Sequence, residues 1–433
     1  MRRKVLYLCH NHPAIFPGGA EGYAWELYRA MQQLQDEFEP IFVARVGSNA
    51  MVQRPAHPGT PWSAGAADPN QYYFHTDVGS FDSFHGTLRD RDALGVHFDE
   101  FLRAHRPDIV HVQHSMFIGY DVLRQIRNSL PETPIVYTLH EYLPICHNNG
   151  QMVRTRTGEL CSESSPRRCH ECFPEISQEA FFLRKRFIQS HLALVDRFLA
   201  PSQFLLERYV EWGIPRDRIG FEEYGRFLPP VPGESELDQE PQRRPFRLGF
   251  FGQINPYKGV TVLLQAMLLL AASEDPCEAH LWVHGANLEL QSATFQAEIR
   301  RLCAATSVHV TFAGPYAPAD VGRLMSAIDW VVVPSVWWEN SPLVIQEAFH
   351  HHRPVLCGDI GGMAEKVANG KNGLHFRAGD AASLAAVIRR ATADPGLWRR
   401  LRDGAPTVYT AKEHAAKLTD LYRTLLRSRS GAR

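Results

Sequence analysis

The sequence predicts an α/β chain built from two doubly wound, Rossmann-like domains. Three observations lead there. Short apolar runs such as Val5 to Cys9, Asp108 to Val112, Ile135 to Leu139, Phe246 to Phe251 and Trp330 to Val333 alternate with longer amphipathic stretches. That is the pattern of buried parallel strands joined by crossover helices. The length, 433 residues, exceeds what one core fills and suits two or three domains. Finally, the alternation breaks once. Phe227 to Arg244 holds Pro229, Pro230, Pro232 and Pro241 among acidic residues, with little to bury. This marks a linker over 229–245 between a domain at 1–228 and one at 246–405, with a closing amphipathic helix in 406–433.

Composition narrows the function. Hydrophobic residues make up 44% and charged ones 21%, ordinary for a soluble globular protein. A net charge of −1 gives no electrostatic footprint for nucleic acid. No run of 18 apolar residues occurs, so no spanning helix is expected. The start is basic, Met1-Arg2-Arg3-Lys4, but its apolar run ends at Cys9 and is followed by His10, Asn11 and His12. A secretory signal is therefore not expected, and the chain is placed in the cytoplasm. There the eight cysteines are expected to be thiols or metal ligands rather than disulfides.

In chain order, Val5 to Cys9 reads as the first strand. The loop Pro17-Gly18-Gly19-Ala20 follows, then a helix from Glu21 to Leu34. Strand, glycine turn and helix open a doubly wound sheet. Paired glycines either make a plain tight turn or let backbone N–H groups approach a ligand. Ile41 to Val46 is the second strand. Gly47 to Asp92 is rich in Pro, Gly, His, Ser and aromatic residues and reads as long loops with one short strand at Gln71 to Phe74. Asp90-Arg91-Asp92 precedes a helical pattern and reads as a solvated helix start. Regular alternation resumes with a helix to His105, a strand Asp108 to Val112, a helix Tyr120 to Asn128 and a strand Ile135 to Leu139. That strand ends in His140-Glu141, beyond the carboxyl end where ligands bind in such sheets.

The segment from Cys146 to Cys172 has no apolar periodicity. Its cysteines stand at 146, 161, 169 and 172, the last two as Cys-x-x-Cys. Two thiolates so spaced can share one ion, and tetrahedral zinc with four thiolates would order such a polar loop. Free thiols and disulfides are the alternatives, and His147 and His170 are substitute ligands. Gln178 to Leu194 is a helical pattern with Phe181, Phe182, Leu183 and Phe187 beside Arg184, Lys185 and Arg186. It reads either as a peripheral membrane-surface face for anionic lipid or as a core-packing helix with a solvated basic side. Arg197 to Ala200 is a strand, and Pro201-Ser202 opens a helix to Trp212.

The second domain opens with the strand Phe246 to Phe251 and the loop Gly252-Gln253-Ile254-Asn255-Pro256-Tyr257-Lys258-Gly259. Strands follow at Ala279 to His284 and Val308 to Phe312, the latter leading to Gly314 and Tyr316. The strand Trp330 to Val333 runs into Pro334-Ser-Val-Trp-Trp-Glu339-Asn340-Ser341-Pro342-Leu343-Val-Ile-Gln-Glu347-Ala348. Ser341 is expected to cap a helix and Pro342 to occupy its first turn. The N–H groups at such a helix start suit a phosphate, and carboxylates at 339 and 347 suit sugar hydroxyls. Pro354 to Cys357 precedes Gly361-Gly362, and Ala411 to Leu426 is the terminal helix.

The stretch from Pro334 to Ala348 resembles the donor-site signature of retaining GT-B glycosyltransferases of family 4. The resemblance covers nearly the whole chain, including Ala-Pro-Ser at 200–202 and the glycine turn at 361–362. It implies two domains facing a cleft and transfer of a sugar from a nucleotide-diphosphate sugar to an acceptor hydroxyl, with retention and without a metal in the chemistry. It implies that Glu339 contacts the donor sugar and Glu347 the ribose. His140 helps place the donor sugar, Gly18 and Gly19 face the donor phosphates and the acceptor, and Tyr316 lies near the base. Asn340, Ser341, Pro342 and Leu343 line the phosphate end. The family's Gly-Arg and Lys-Gly clamp is present as Lys258, whereas Gln253 replaces the Arg. Arg226 is a candidate for the lost charge. A subset of the family has a similar cysteine loop. The alternatives are an epimerase or phosphorylase of the same fold, or a non-catalytic nucleotide-sugar-binding subunit. The expected partners are a nucleotide-sugar donor and a hydroxyl-bearing glycan, lipid-linked or small-molecule acceptor, with no nucleic acid.

Overall fold

The computed structural model describes residues 2–34, 37–47, 59–228, 246–274, 277–306 and 309–430. The linker expected at 229–245 lies outside them. The chain forms two compact units, one from Met1–Phe227 with Tyr409–Arg433 and one from Leu228–Val408.

The strands of the first unit are β1 (Arg3–Cys9), β2 (Phe38–Gly47), β3 (Trp62–Ala64), β4 (Gln71–Thr76), β5 (Phe81–Asp82), β6 (Thr87–Leu88), β7 (Ile109–Val112), β8 (Ile135–Thr138), β9 (Arg197–Ala200) and β10 (Ile219–Phe221). Its helices are α1 (Gly19–Leu34), α2 (Asp99–His105), α3 (Asp121–Ser129), α4 (Pro166–Cys172), α5 (Gln178–Leu192) and α6 (Gln203–Trp212). The sheet runs β10-β9-β8-β7-β1-β2-β4-β3, parallel except for β3 on β4. Val5 to Cys9 are wholly buried because helices cover both faces of the sheet, which is why β1 carries no alternation. The order reverses between β1 and β7, the switch point of this topology.

The region from Gly47 to Asp92 holds more order than its composition implied. Beside β4 it carries β3 and the β5–β6 hairpin, while 48–58 lie outside the described residues. Asp90 accepts from the N–H groups of Asp92 and Ala93 at 3.1 and 3.2 Å, capping the helical turns of Ala93–Phe98. Along α5, Phe181, Arg184, Ile188, His191 and Leu192 face inward. Arg184 is buried because it donates to three carbonyls, of Phe84, Leu143 and Pro144, at 2.7–2.9 Å. Phe182 and Leu183 are 54% and 59% exposed.

The second unit has β11 (Phe246–Gln253), β12 (Ala279–Ala286), β13 (Val310–Gly314), β14 (Trp330–Val333), β15 (Val355–Gly358) and β16 (Gly373–Phe376). Its helices are α7 (Val260–Ala271), α8 (Ala293–Thr306), α9 (Val321–Ser326), α10 (Leu343–His350), α11 (Gly361–Lys366), α12 (Ala381–Ala393) and α13 (Pro395–Asp403). All six strands are parallel in the order β13-β12-β11-β14-β15-β16, so the switch point falls between β11 and β14. Trp330 and Trp398 anchor the core, the latter through Nε1 to the Asp329 carbonyl at 2.9 Å.

The last helix, α14 (Ala411–Ser430), belongs to the first unit. Ala411, Ala415, Leu418 and Tyr422 recur at helical spacing and form its buried stripe. The Tyr422 hydroxyl lies 2.6 Å from His111 Nδ1 and 3.2 Å from the Tyr7 hydroxyl. Among the described residues no helix is long and apolar enough to cross a membrane.

Candidate active site

In the second unit the site forms where the loops after β11 and β14 press together. Asn255 Oδ1 accepts from the N–H groups of Tyr257 and Lys258 at 3.0 and 3.1 Å, fixing a tight turn. Gly259 then adopts φ 70°, and a Cβ there would overlap the Pro334 carbonyl. Only glycine allows both. Val336 N–H donates to the Tyr257 carbonyl at 2.9 Å, tying the two loops. Lys258 Nζ consequently meets Glu339 Oε1 at 2.6 Å. The same oxygen accepts from Ser335 Oγ at 2.7 Å and Trp337 Nε1 at 2.9 Å. The Glu339 side chain is only 8% exposed, and three charge-satisfying donors make that burial tolerable.

The glycine turn clasps the same segment from behind. Gly362 N–H donates to the Glu339 carbonyl at 2.8 Å, Gly361 has φ 58°, and a Cβ on Gly362 would overlap the Asn340 carbonyl. Helix α10 begins at Leu343, with Pro342 in the capping position and no side chain capping it. The expected Ser341 cap is therefore replaced. The Ser341 hydroxyl instead accepts from Lys366 Nζ at 2.6 Å, and Pro342 stays extended, outside the first turn. Asn340 and Ser341 are buried. Glu347 lies one turn into α10, near Tyr316. Burial, then the Glu347 charge, raises the Tyr316 phenol. The Tyr316 ring stands edge-on to Phe251 and His284 at 5.8 and 6.2 Å, and these two stack at 4.8 Å. Gln253 is exposed at the end of β11.

The remaining expected residues belong to the first unit. His140 Nδ1 lies 2.6 Å from the Tyr224 hydroxyl and Nε2 lies 3.3 Å from Gln113 Oε1. Burial, with the His10 charge, lowers this imidazole to about 3, so it stays neutral. Both of its nitrogens are thus engaged inside the unit. Arg226, offered for the missing phosphate charge, is also in this unit. It is held by Glu26 at 3.0 Å, and its backbone pairs with Tyr409 and Ala411.

Sequence reading missed a polar cluster at the β1–β7 switch point. His10 Nε2 meets Glu21 Oε1 at 3.0 Å, and its ring centroid lies 4.1 Å from that of His114. His114 Nε2 lies 3.7 Å from Glu141 Oε1. For Glu21, burial acts upward, but the His10 hydrogen bond and charge outweigh it and the carboxyl sits low. Glu141, whose side chain is 23% exposed, is pushed up to about 8 by burial despite the Arg184 charge. His114 is driven well below its ordinary value by burial and His10, so this last contact joins two neutral groups. A Cβ at Gly18 would overlap the Glu21 carboxylate, so that glycine leaves room for the pair, and Gly19 opens α1. The available signal was position alone, since His10 and Gln113 immediately follow strands.

Cys146, Cys161, Cys169 and Cys172 all line one small cavity. Among the described residues no group of three or more His, Cys, Asp or Glu is already set at metal-holding geometry. His170 Nδ1 is 2.7 Å from the Ile176 carbonyl, which occupies that substitute ligand.

Residues 17–220 match the family model described as Glycosyltransferase Family 4, and 245–394 match Glycosyl transferases group 1. A D-inositol 3-phosphate glycosyltransferase of Nocardia farcinica is 30% identical over 223 residues, 48% of each chain. One from Jonesia denitrificans is 30% identical over 171 residues, 39% of each. The chain thus spans less than half the length of these curated relatives. In fold it is similar to sucrose-phosphate synthase from Thermosynechococcus elongatus, with TM-score 0.72, 18% identity, and 98% and 100% of the two chains covered. Anabaena HepE in complex with UDP gives 0.68, 16%, 97% and 100%. The catalytic domain of starch synthase IV from Arabidopsis thaliana, bound to ADP and acarbose, gives 0.66, 14%, 99% and 100%. Two family models over most of the chain, on two parallel sheets of this order, show that the chain belongs to glycosyltransferase family 4 and has the GT-B fold.

Proposed function

We propose that this chain moves a sugar from a nucleoside-diphosphate sugar to an acceptor hydroxyl, with retention of configuration. The carrying observation is the convergence of Lys258, Ser335 and Trp337 on one oxygen of Glu339. This leaves Oε2 as the acceptor for donor-sugar hydroxyls. Breaking the sugar–phosphate bond builds negative charge on the leaving diphosphate. Lys258 and the N–H groups of Ser341 and Leu343 are assigned to it, with Lys366 as the second cation that Gln253 does not provide. Fixed donors of this kind stabilise the transition state because they need no reorganisation. Glu347 takes the ribose, and the Phe251, His284 and Tyr316 rings take the base. Relatives of the same fold with UDP and ADP bound support a nucleoside diphosphate.

Front-face attack suits this set. The leaving phosphate takes the acceptor proton, and the protein holds charge rather than forming a covalent bond, without a metal in the chemistry. Gly18 and Gly19 are assigned to the donor phosphates and the acceptor, and His140, with its ring fixed, to placing the donor sugar. We also place the protein in the cytoplasm, peripheral at the inner membrane face, through exposed Phe182 and Leu183 beside Lys185 and Arg186. Flotation with anionic liposomes, lost in F182S/L183S, tests that placement.

The function is tested by thermal shift against UDP-, GDP- and ADP-sugars, followed by turnover across acceptors. A ligand that binds only the folded state raises the melting point. At least one donor is expected to do so, and Glu339→Ala to abolish it. No shift from any nucleotide sugar would sink the reading. A shift without transfer would favour the binding subunit, and an epimer formed from donor alone would favour the epimerase.

A further inference from the structure

We propose that Cys146, Cys161, Cys169 and Cys172 are the four ligands of one structural zinc ion. The four come from three separate pieces of chain. Cys146 follows the loop after β8. Cys161 ends a hairpin closed by the Val153–Leu160 bridge, its N–H donating to the Met152 carbonyl at 2.7 Å. Cys169 and Cys172 lie one turn apart on α4. All four nevertheless line a single cavity of about 20 Å³, walled by Ile145, Met152, Val153 and Phe173, room for one ion-sized guest.

The need for a cross-link follows from what else holds this segment. Helix α4 has seven residues and none is buried. A helix so short is unstable without packing, and this one offers no apolar stripe to pack. It is otherwise tied by two ion pairs, Arg154 with Glu171 at 2.6 Å and Arg168 with Glu163 at 2.9 Å, and by hydrogen bonds of His170 with the Ile176 carbonyl at 2.7 Å and of Thr155 Oγ1 to the Cys172 carbonyl at 2.6 Å, none of which gives it an apolar core. Its inward groups are the thiols. A metal holding four thiolates would supply the missing core, as it does in small zinc modules.

The charge balance agrees. Four thiolates around Zn²⁺ leave two negative charges. Arg184, buried in the same region, is close enough for its charge to act on Cys146 and Cys169, and Arg154 similarly feels Cys161 and Cys172. Cys161 Sγ now donates to the Glu163 carbonyl at 2.9 Å.

The test is metal analysis of full-length protein made in zinc-supplemented medium and purified without chelator. About one zinc per chain is expected, falling at least fivefold in C169S/C172S and unchanged in C277S. Mercurial titration should release that zinc as four thiols react. If the double variant does not fold, cobalt-loaded wild-type protein decides. Intense thiolate-to-cobalt absorption with tetrahedral d–d bands is expected, and octahedral cobalt without that absorption overturns the proposal. Zinc-free folded protein with four alkylatable thiols overturns it too, as does a disulfide among the four in a non-reducing peptide map.

Discussion

At the residue scale the proposed chemistry rests on Glu339 and the charges around it. Glu339→Gln keeps the shape and the accepting oxygen but removes the charge. Charged hydrogen bonds contribute about 1.5–3 kcal/mol, so kcat/KM is expected to fall about 10- to 100-fold with the melting point nearly kept. Steady-state kinetics on the identified donor checks this. Gln253 offers the reverse experiment. It is exposed at the end of β11, so an arginine fits there without displacing core. Gln253→Arg is expected to tighten binding of the nucleoside diphosphate about tenfold, roughly 1.4 kcal/mol, and Lys366→Ala to weaken it similarly. Calorimetry reads both, and no change in either would remove the assigned second cation. In the first unit, Glu141 sets a pH dependence. Its ordinary value is 4.5 and burial lifts it to about 8. Between those values the folded state keeps a proton that the unfolded chain gives up, so stability falls as pH rises through that window and levels off above it. Glu141→Gln is expected to match wild type near pH 5 and exceed it at pH 8 by about 1–3 kcal/mol. Urea unfolding at the two pH values decides.

At the element scale, the strands were legible because burial on both faces leaves uninterrupted apolar runs. Trp330 to Val333 and Arg197 to Ala200 are observed with those bounds. The stretch from Gly47 to Asp92 was not, because β3, β5 and β6 are two or three residues long and are fixed by neighbours rather than by periodicity. The start of α10 failed for a related reason. Serine before proline is a sound local cap signal, but Lys366, 25 positions away, takes the hydroxyl, and no local rule sees that distance. Lys258 and Glu339, which the structure brings together, were legible as a motif, whereas His10, Glu21 and His114 meet only through the topology. Two glycines show how elements aim side chains. Alanine at Gly259 faces both a left-handed φ and the Pro334 carbonyl, and alanine at Gly362 faces the Asn340 carbonyl. Either must part the loops that place Glu339. A shift near 1 Å costs about 100-fold in rate. Gly362→Ala is therefore expected to lose that much kcat, whereas Gly370→Ala, with open space around it, is strained only through its own φ and should keep kcat. Equal losses at 362 and 370 would refute the aiming role.

At the scale of the whole molecule, chain order and unit membership diverge. The second unit is one continuous stretch, Leu228–Val408, while the first needs both ends of the chain. Helix α14 closes the first core chemically as well as sterically. Tyr422, fully buried, joins Tyr7 and His111, and His111 continues to Thr138 at 2.7 Å. His414 sits between Tyr23 at 2.7 Å and Glu222 at 3.2 Å, and Lys417 meets Glu222 at 2.6 Å. Removing the helix would strip apolar cover from α1 and leave these buried polar groups short of partners, a double loss. Even Tyr422→Ala alone is expected to cost about 3–5 kcal/mol. The second unit's sheet, helices and Lys258–Glu339 contact all lie within 228–408 and include no residue of α14. A chain ending at Val408 is therefore expected to lose one calorimetric transition and keep the other, and the surviving transition should still rise with nucleoside diphosphate. Two surviving transitions would show that α14 is dispensable to the first core. A single loss that also abolishes the ligand shift would show that the donor site needs more than the second unit.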